Sequence, residues 1–171
     1  MRVPETFIVT LDGAMLRRGF WLYVWEITTP DDKRVLYVGR TGDNSSPYAQ
    51  SLFNRLGQNL GTLANASMVR NNLERRGIDP GQCQFRMVGH GPIFDEAPNK
   101  NFEAHKPIRD KVGAIEKKLA EDLKTAGYDV MNEVRWNAPL DQELYEPVRA
   151  AFAAEFPGLP GPNPHGSQLA S

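Results

Sequence analysis

The sequence predicts an α+β domain: a small three-stranded antiparallel sheet flanked by helices, with an added helix at the C-terminal end. Three observations predict it. Two β-prone runs of alternating apolar residues are joined by a short polar turn. Longer stretches with apolar residues at helical spacing follow them. A third β-prone run lies between the helical stretches.

The elements follow in order. Residues 7–11, Phe-Ile-Val-Thr-Leu, are β-prone and stop at Asp12-Gly13. Residues 20–27 read as a strand, with Trp21, Tyr23, Trp25 and Ile27 on one face and Leu22, Val24 and Glu26 on the other. Pro30, Asp31 and Asp32 mark a turn, and residues 34–39 form a second strand, so an antiparallel hairpin is expected. A Gly-, Asn- and Ser-rich loop occupies 42–47. Residues 49–63 predict a helix with Leu52, Leu56, Leu60 and Leu63 inward, and 67–76 a second that stops at Gly77. The third strand is expected over 82–88. Several Gly and Pro residues make 89–107 an irregular stretch. Pro107 suits the first position of a long helix that Gly127 ends. Residues 130–136 read as extended. Residues 140–156 predict a last helix with Leu144, Val148, Phe152 and Phe156 inward. The Pro- and Gly-rich tail beyond Pro157 is expected to be disordered. The chain thus divides into an N-terminal extension (1–19), a body (20–136), a C-terminal helix (137–156) and a tail (157–171).

Composition narrows the function classes. The formal net charge of −1 excludes a uniform polyanion-binding field, so any nucleic-acid contact must come from a local basic face. Arg70, Arg75 and Arg76 form one such group; Lys100, Lys106, Arg109 and Lys111 form another. The single cysteine, Cys83, excludes an internal disulfide and a paired-cysteine metal site, and is expected in a strand. No apolar run is long enough to span a bilayer and no leader pattern opens the chain, so a cytoplasmic protein is expected. Gly39-Arg40-Thr41-Gly42 lacks the length and ending of a phosphate-binding Walker loop. Glu116-Lys117-Lys118 offers a Glu-x-Lys string, but residues two apart diverge on a helix.

The candidate chemistry begins with Tyr37-Val38-Gly39-Arg40, a strand end that sets a phenol and a cation beside a glycine. Tyr23 lies one strand earlier. Cross-strand packing and a paired role in a site are both open for the two tyrosines. On the first helix Arg55 and Asn59 fall about 300° and 340° around from Leu52, at the margin of the buried face, where an arginine can aim at a phosphate. Glu116 falls inside the apolar stripe of Val112, Ile115, Leu119, Ala120 and Leu123. A carboxylate there is costly unless it is paired or binds metal. Asn132 follows the long helix and can hold a turn or fix a neighbour. His105 shares the face of Glu116 only if that helix begins ahead of Pro107.

This combination resembles the GIY-YIG nuclease family. The resemblance covers residues 20–136. Tyr37-Val38-Gly39 matches the second motif closely, whereas Trp21-Leu22-Tyr23 keeps only the tyrosine of the first. Asn59 stands where many members carry a histidine. The resemblance implies a metal-dependent DNA endonuclease that hydrolyses phosphodiesters. Glu116 would ligate Mg²⁺ or Mn²⁺, Tyr23 would serve as base for the attacking water, and Tyr37 would hold the water or the phosphate. Arg40 and Arg55 would lower the phenol pKa, Arg55 would offset charge on phosphorus, and Asn132 would orient the site. DNA is the expected partner, and the oligomeric state is open between monomer and homodimer. The competing class is a non-catalytic module of the same fold that binds nucleic acid or protein.

Overall fold

The computed structural model describes residues 4–43, 48–63, 65–98 and 101–160. Its elements are β1 (Phe20–Thr28), β2 (Arg34–Arg40), α1 (Leu52–Leu60), α2 (Met68–Arg75), β3 (Gln84–Phe94), α3 (Phe102–Thr125), β4 (Asp129–Val130) and α4 (Gln142–Ala153). The fold is α+β, with four helices among the described residues on a mixed open sheet of order β3-β1-β2-β4. The expected three antiparallel strands are present, but the sheet has a fourth. After α3 the chain returns beside β2 in parallel, Val35 facing Asp129 and Leu36 facing Val130.

Helices cover both faces of the sheet. Trp21, Tyr23, Trp25, Ile27, Val35 and Tyr37 pack with Leu52 of α1 and with Val69 and Leu73 of α2. Phe20, Leu22, Val24, Leu36 and Val38 pack against Val112, Ile115, Leu119 and Leu123 of α3 and Val148 and Phe152 of α4. The C-terminal helix therefore belongs to the same core as the body. β1 is central in the sheet, which is why both of its faces are apolar.

Five sequence expectations are corrected. Residues 89–94 are not irregular; they continue β3. Pro92 is tolerated because β3 is an edge strand, where a missing amide costs little, and Gly91 supplies a positive φ of 144° where the register against β1 shifts. The long helix does not start at Pro107. Asn101 caps it by accepting a hydrogen bond from the Glu103 amide at 2.9 Å, and Pro107 sits one turn inside. Leu63 is exposed, because α1 ends at Leu60 with Gly61 as its cap. Residues 7–11 form no strand and lie open to solvent, and Cys83 caps a short turn ahead of β3 rather than lying within it. Residues 161–171 of the tail and Lys100 lie outside the described residues.

Candidate active site

The site is organised by the last four residues of β2. In the β1–β2 ladder Tyr23 faces Gly39, and Trp25 faces Tyr37. The two tyrosines are therefore diagonal neighbours on the α1/α2 face of the sheet. A Cβ on Gly39 would lie 2.5 Å from both Cζ and the hydroxyl oxygen of Tyr23. The glycine of Tyr-x-Gly thus lets the Tyr23 ring lie flat over the β2 backbone. The two motifs are one packing unit.

Asn132 fixes the outer edge of the same strand. Beyond β4, the Met131 amide donates to the Leu36 carbonyl at 2.7 Å. The side chain of Asn132 then takes the place of a further strand residue. Its Oδ1 accepts from the Val38 amide at 3.0 Å, and its Nδ2 donates to the Val38 carbonyl at 2.8 Å. Val38 lies between Tyr37 and Gly39, so this amide holds the strand segment that carries the phenol.

Arg40 projects to the other face, toward α3, where its guanidinium is ion-paired with Glu116. Both groups are buried. Trp136 closes over the pair, its ring 4.2 Å from the Arg40 Cζ. That ring rests on α3 at Gly113, where a Cβ would come within 2.4 Å of it, and its Nε1 donates to the Asp110 carbonyl at 2.9 Å. Arg55 comes from α1 and is ion-paired with Asp43 in the loop that follows β2. Asn59, one turn on, is buried and donates from Nδ2 to the Tyr23 hydroxyl at 3.2 Å.

The six candidates Tyr23, Tyr37, Arg40, Arg55, Glu116 and Asn132 therefore gather around one strand end. They straddle the sheet: the phenols and Arg55 on the α1 side, Arg40 and Glu116 on the α3 side. The charges of Arg55, Arg40 and Glu116 all act on both phenols. Arg70, Arg75 and Arg76 lie apart on α2 and its end. Arg70 pairs with Glu74, and Arg76 with Asp129. Lys106 and Arg109 both pair with Asp110, and Lys111 with Asp141.

Electrostatics set what these groups can do. Burial pushes both phenols above their ordinary value, and the two arginines offset only part of that. The expectation that the cations would lower the phenol pKa is not met in this arrangement, because loss of water outweighs the nearby positive charge. Burial also raises the Glu116 carboxyl, against the pull of Arg40 and Arg55. Two guanidinium groups of the site keep an unmet donor: Nε of Arg40 and Nε of Arg55 are buried without a hydrogen-bond partner.

His105 is brought close as well. With α3 beginning at Phe102 it is fully buried, its Nε2 3.1 Å from the Gly42 carbonyl and its ring 5.0 Å from that of Phe20. It ties the start of α3 to the loop after β2. Sequence reasoning missed Trp136 and Asp43. Gly113 in an otherwise well-formed helix is the signal that an aromatic ring rests there. Asp43 sits in a polar loop and carries no such mark.

No known protein family, no curated protein and no solved structure matches this chain. The function is therefore argued from the site itself. Among the described residues no three His, Cys, Asp or Glu side chains cluster as a metal cage. Any divalent ion here would rest on one carboxylate, with its remaining ligands drawn from substrate and water. No helix among the described residues is long and apolar enough to cross a membrane.

Proposed function

We propose that this chain is a metal-dependent DNA endonuclease with a GIY-YIG-like arrangement of its site. The observation that carries the proposal is the convergence of two buried phenols, two arginines and one buried carboxylate on the end of β2. Apolar burial of this many polar groups is costly and needs a return beyond stability.

Glu116 fits a hard divalent cation in kind: its carboxylate is buried and demands a positive partner, which Arg40 supplies in this state. Glu116 would hold Mg²⁺ or Mn²⁺, and the bound ion supplies positive charge to the phosphate and to the leaving oxygen. With Glu116 so engaged, the Arg40 donors would be free for a phosphate oxygen. Arg55, with its own unmet Nε–H, bears on the same phosphate and offsets charge developing there. The Tyr23 oxygen accepts from Asn59 and, as phenolate, keeps lone pairs that accept from the attacking water and orient it. Tyr37 holds the water or the phosphate from the diagonal position. Asn132 is a positioning residue that acts through the β2 backbone. Taking the water's proton falls to the minor phenolate fraction of Tyr23, which burial keeps small at neutral pH.

A second reading is a binding module of the same fold that does not cleave. The Arg40–Glu116 ion pair, which already occupies the carboxylate, favours it. The test is incubation of supercoiled plasmid with the protein, with and without Mg²⁺, beside Glu116→Gln. The glutamine can still accept from Arg40 but leaves that buried guanidinium without its counter-charge, so circular dichroism and thermal unfolding of the variant are read beside the nicking. Mg²⁺-dependent nicking that disappears in Glu116→Gln supports the nuclease. Nicking that survives in the variant refutes the assignment of Glu116, and DNA retention without nicking by the wild-type chain selects the second reading.

A further inference from the structure

We propose that the N-terminal arm forms a fifth sheet strand on a second copy of this chain, pairing with the open edge of β3 and making a homodimer. The inference is independent of the nuclease reading. Residues 4–11 belong to no helix or strand, yet they include the run Phe7, Ile8, Val9, Thr10 and Leu11. Phe7, Ile8 and Val9 are 81%, 88% and 77% exposed. A contiguous apolar, β-branched run left in water is a surface in search of a partner.

β3 is the matching template. It is the longest strand, with 11 residues, and an edge of the sheet. Among the described residues no strand lies on its outer side. An open edge of this length invites a further strand. Arg86, the third residue of the strand, is already neutralised by Glu26 and Glu155 and does not guard the edge. The bulge and Pro92 protect only the far end, leaving residues 84–90 available. Phe85 and Met87 there are only partly buried, on the face covered by α1 and α2. In an added strand Phe7, Val9 and Leu11 share one face and would extend that apolar strip.

For the antiparallel pairing that joins β1, β2 and β3, geometry selects a second copy over the chain's own edge. The sheet's long pairings are antiparallel. An arm antiparallel to its own β3 would run parallel to β1 and would end at the opposite end of the sheet from Phe20. The link would then have to run back along most of β1, from the level of Glu26–Thr28 to Phe20, roughly 20–27 Å. Residues 13–19 cannot do this, because Gly13–Leu16 is wound into a 3-10 turn that rises only about 2 Å per residue. The base of the arm is also tied down. Arg17 pairs with Asp95 and Arg18 with Glu96, both at 2.8 Å, and Met15 packs into the α1/α2 cluster. A neighbouring copy has no such tether and can present β3 in the antiparallel sense.

The test is light-scattering mass of the full chain across a hundredfold range of concentration, beside Val9→Pro. Proline removes an amide from the arm and disfavours pairing, and it leaves the body untouched because residues 4–11 lie outside it. The expected result is a doubling of mass with concentration for the wild type and monomer mass throughout for Val9→Pro, with unchanged circular dichroism. Hydrogen exchange of the wild-type dimer should also show slowed amides within residues 7–11. A wild-type chain that stays monomeric, a dimer that survives Val9→Pro, or a dimer whose arm amides exchange freely overturns the proposal.

Discussion

Gly39→Ala is the sharpest probe of how the two tyrosine motifs are joined. Gly39 is a strand residue without positive φ, so alanine meets no backbone penalty there. The whole effect is steric: the new methyl would stand 2.5 Å from the Cζ and hydroxyl of Tyr23 and 2.6 Å from its Cε2. The ring is buried against α1 and α2 and has no open side into which to withdraw. Overpacking of this kind costs about 1–3 kcal/mol. For a chain of this size each kcal/mol lowers Tm by about 2–4 °C, so the expected loss is roughly 2–12 °C. Gly57→Ala is the internal control. It lies in α1, a Cβ there meets nothing within 4 Å, and alanine should stabilise the helix by about 0.5–1 kcal/mol. Thermal unfolding of the two variants beside the wild type reads both signs. If Gly39→Ala melts with the wild type, the Tyr23 ring does not lie on Gly39, and the linkage of the two motifs is wrong.

Two pH profiles follow from the buried groups. Burial holds the Tyr23 and Tyr37 phenols above their ordinary value near 10, so cleavage that depends on a phenolate should keep rising with pH beyond 9 without a plateau; a rate levelling near pH 7 would exclude a tyrosine base. Burial lowers the His105 pKa, so its contribution to stability is present above the unfolded value of about 6.5 and is lost as pH falls through the lower folded value. Urea midpoints at pH 7.5 and 5.0 should show a smaller acid loss in His105→Gln than in the wild type, and equal losses would rule out His105 as a source. His90 shifts in the same direction and leaves a residual dependence in the variant.

Much of this arrangement was legible in the sequence because it rests on periodicity. The alternation of Trp21, Tyr23, Trp25 and Ile27 reports the α1/α2 face directly, and the stripe on α3 places Glu116 inside the core. What stayed hidden depends on pairings distant along the chain. Gly and Pro near residues 91 and 92 read as breakers, since nothing local says that β3 is an edge strand. Pro107 read as a helix start because the Asn101 cap lay within a run of polar residues. Arg40 belongs with Glu116, 76 residues away, and only the packing of α3 on the end of β2 makes that pair. The direction of the phenol pKa shift was equally beyond reach, because two arginines nearby in sequence order say nothing about how much water the phenols lose.

The most direct measurement is anomalous diffraction from a crystal of the protein grown with Mn²⁺ and a short DNA duplex. A manganese peak bonded to the Glu116 carboxylate, with Arg40 and Arg55 turned onto a phosphate, is the expected outcome. Manganese bound elsewhere while Arg40 stays locked on Glu116 would contradict the hydrolytic site.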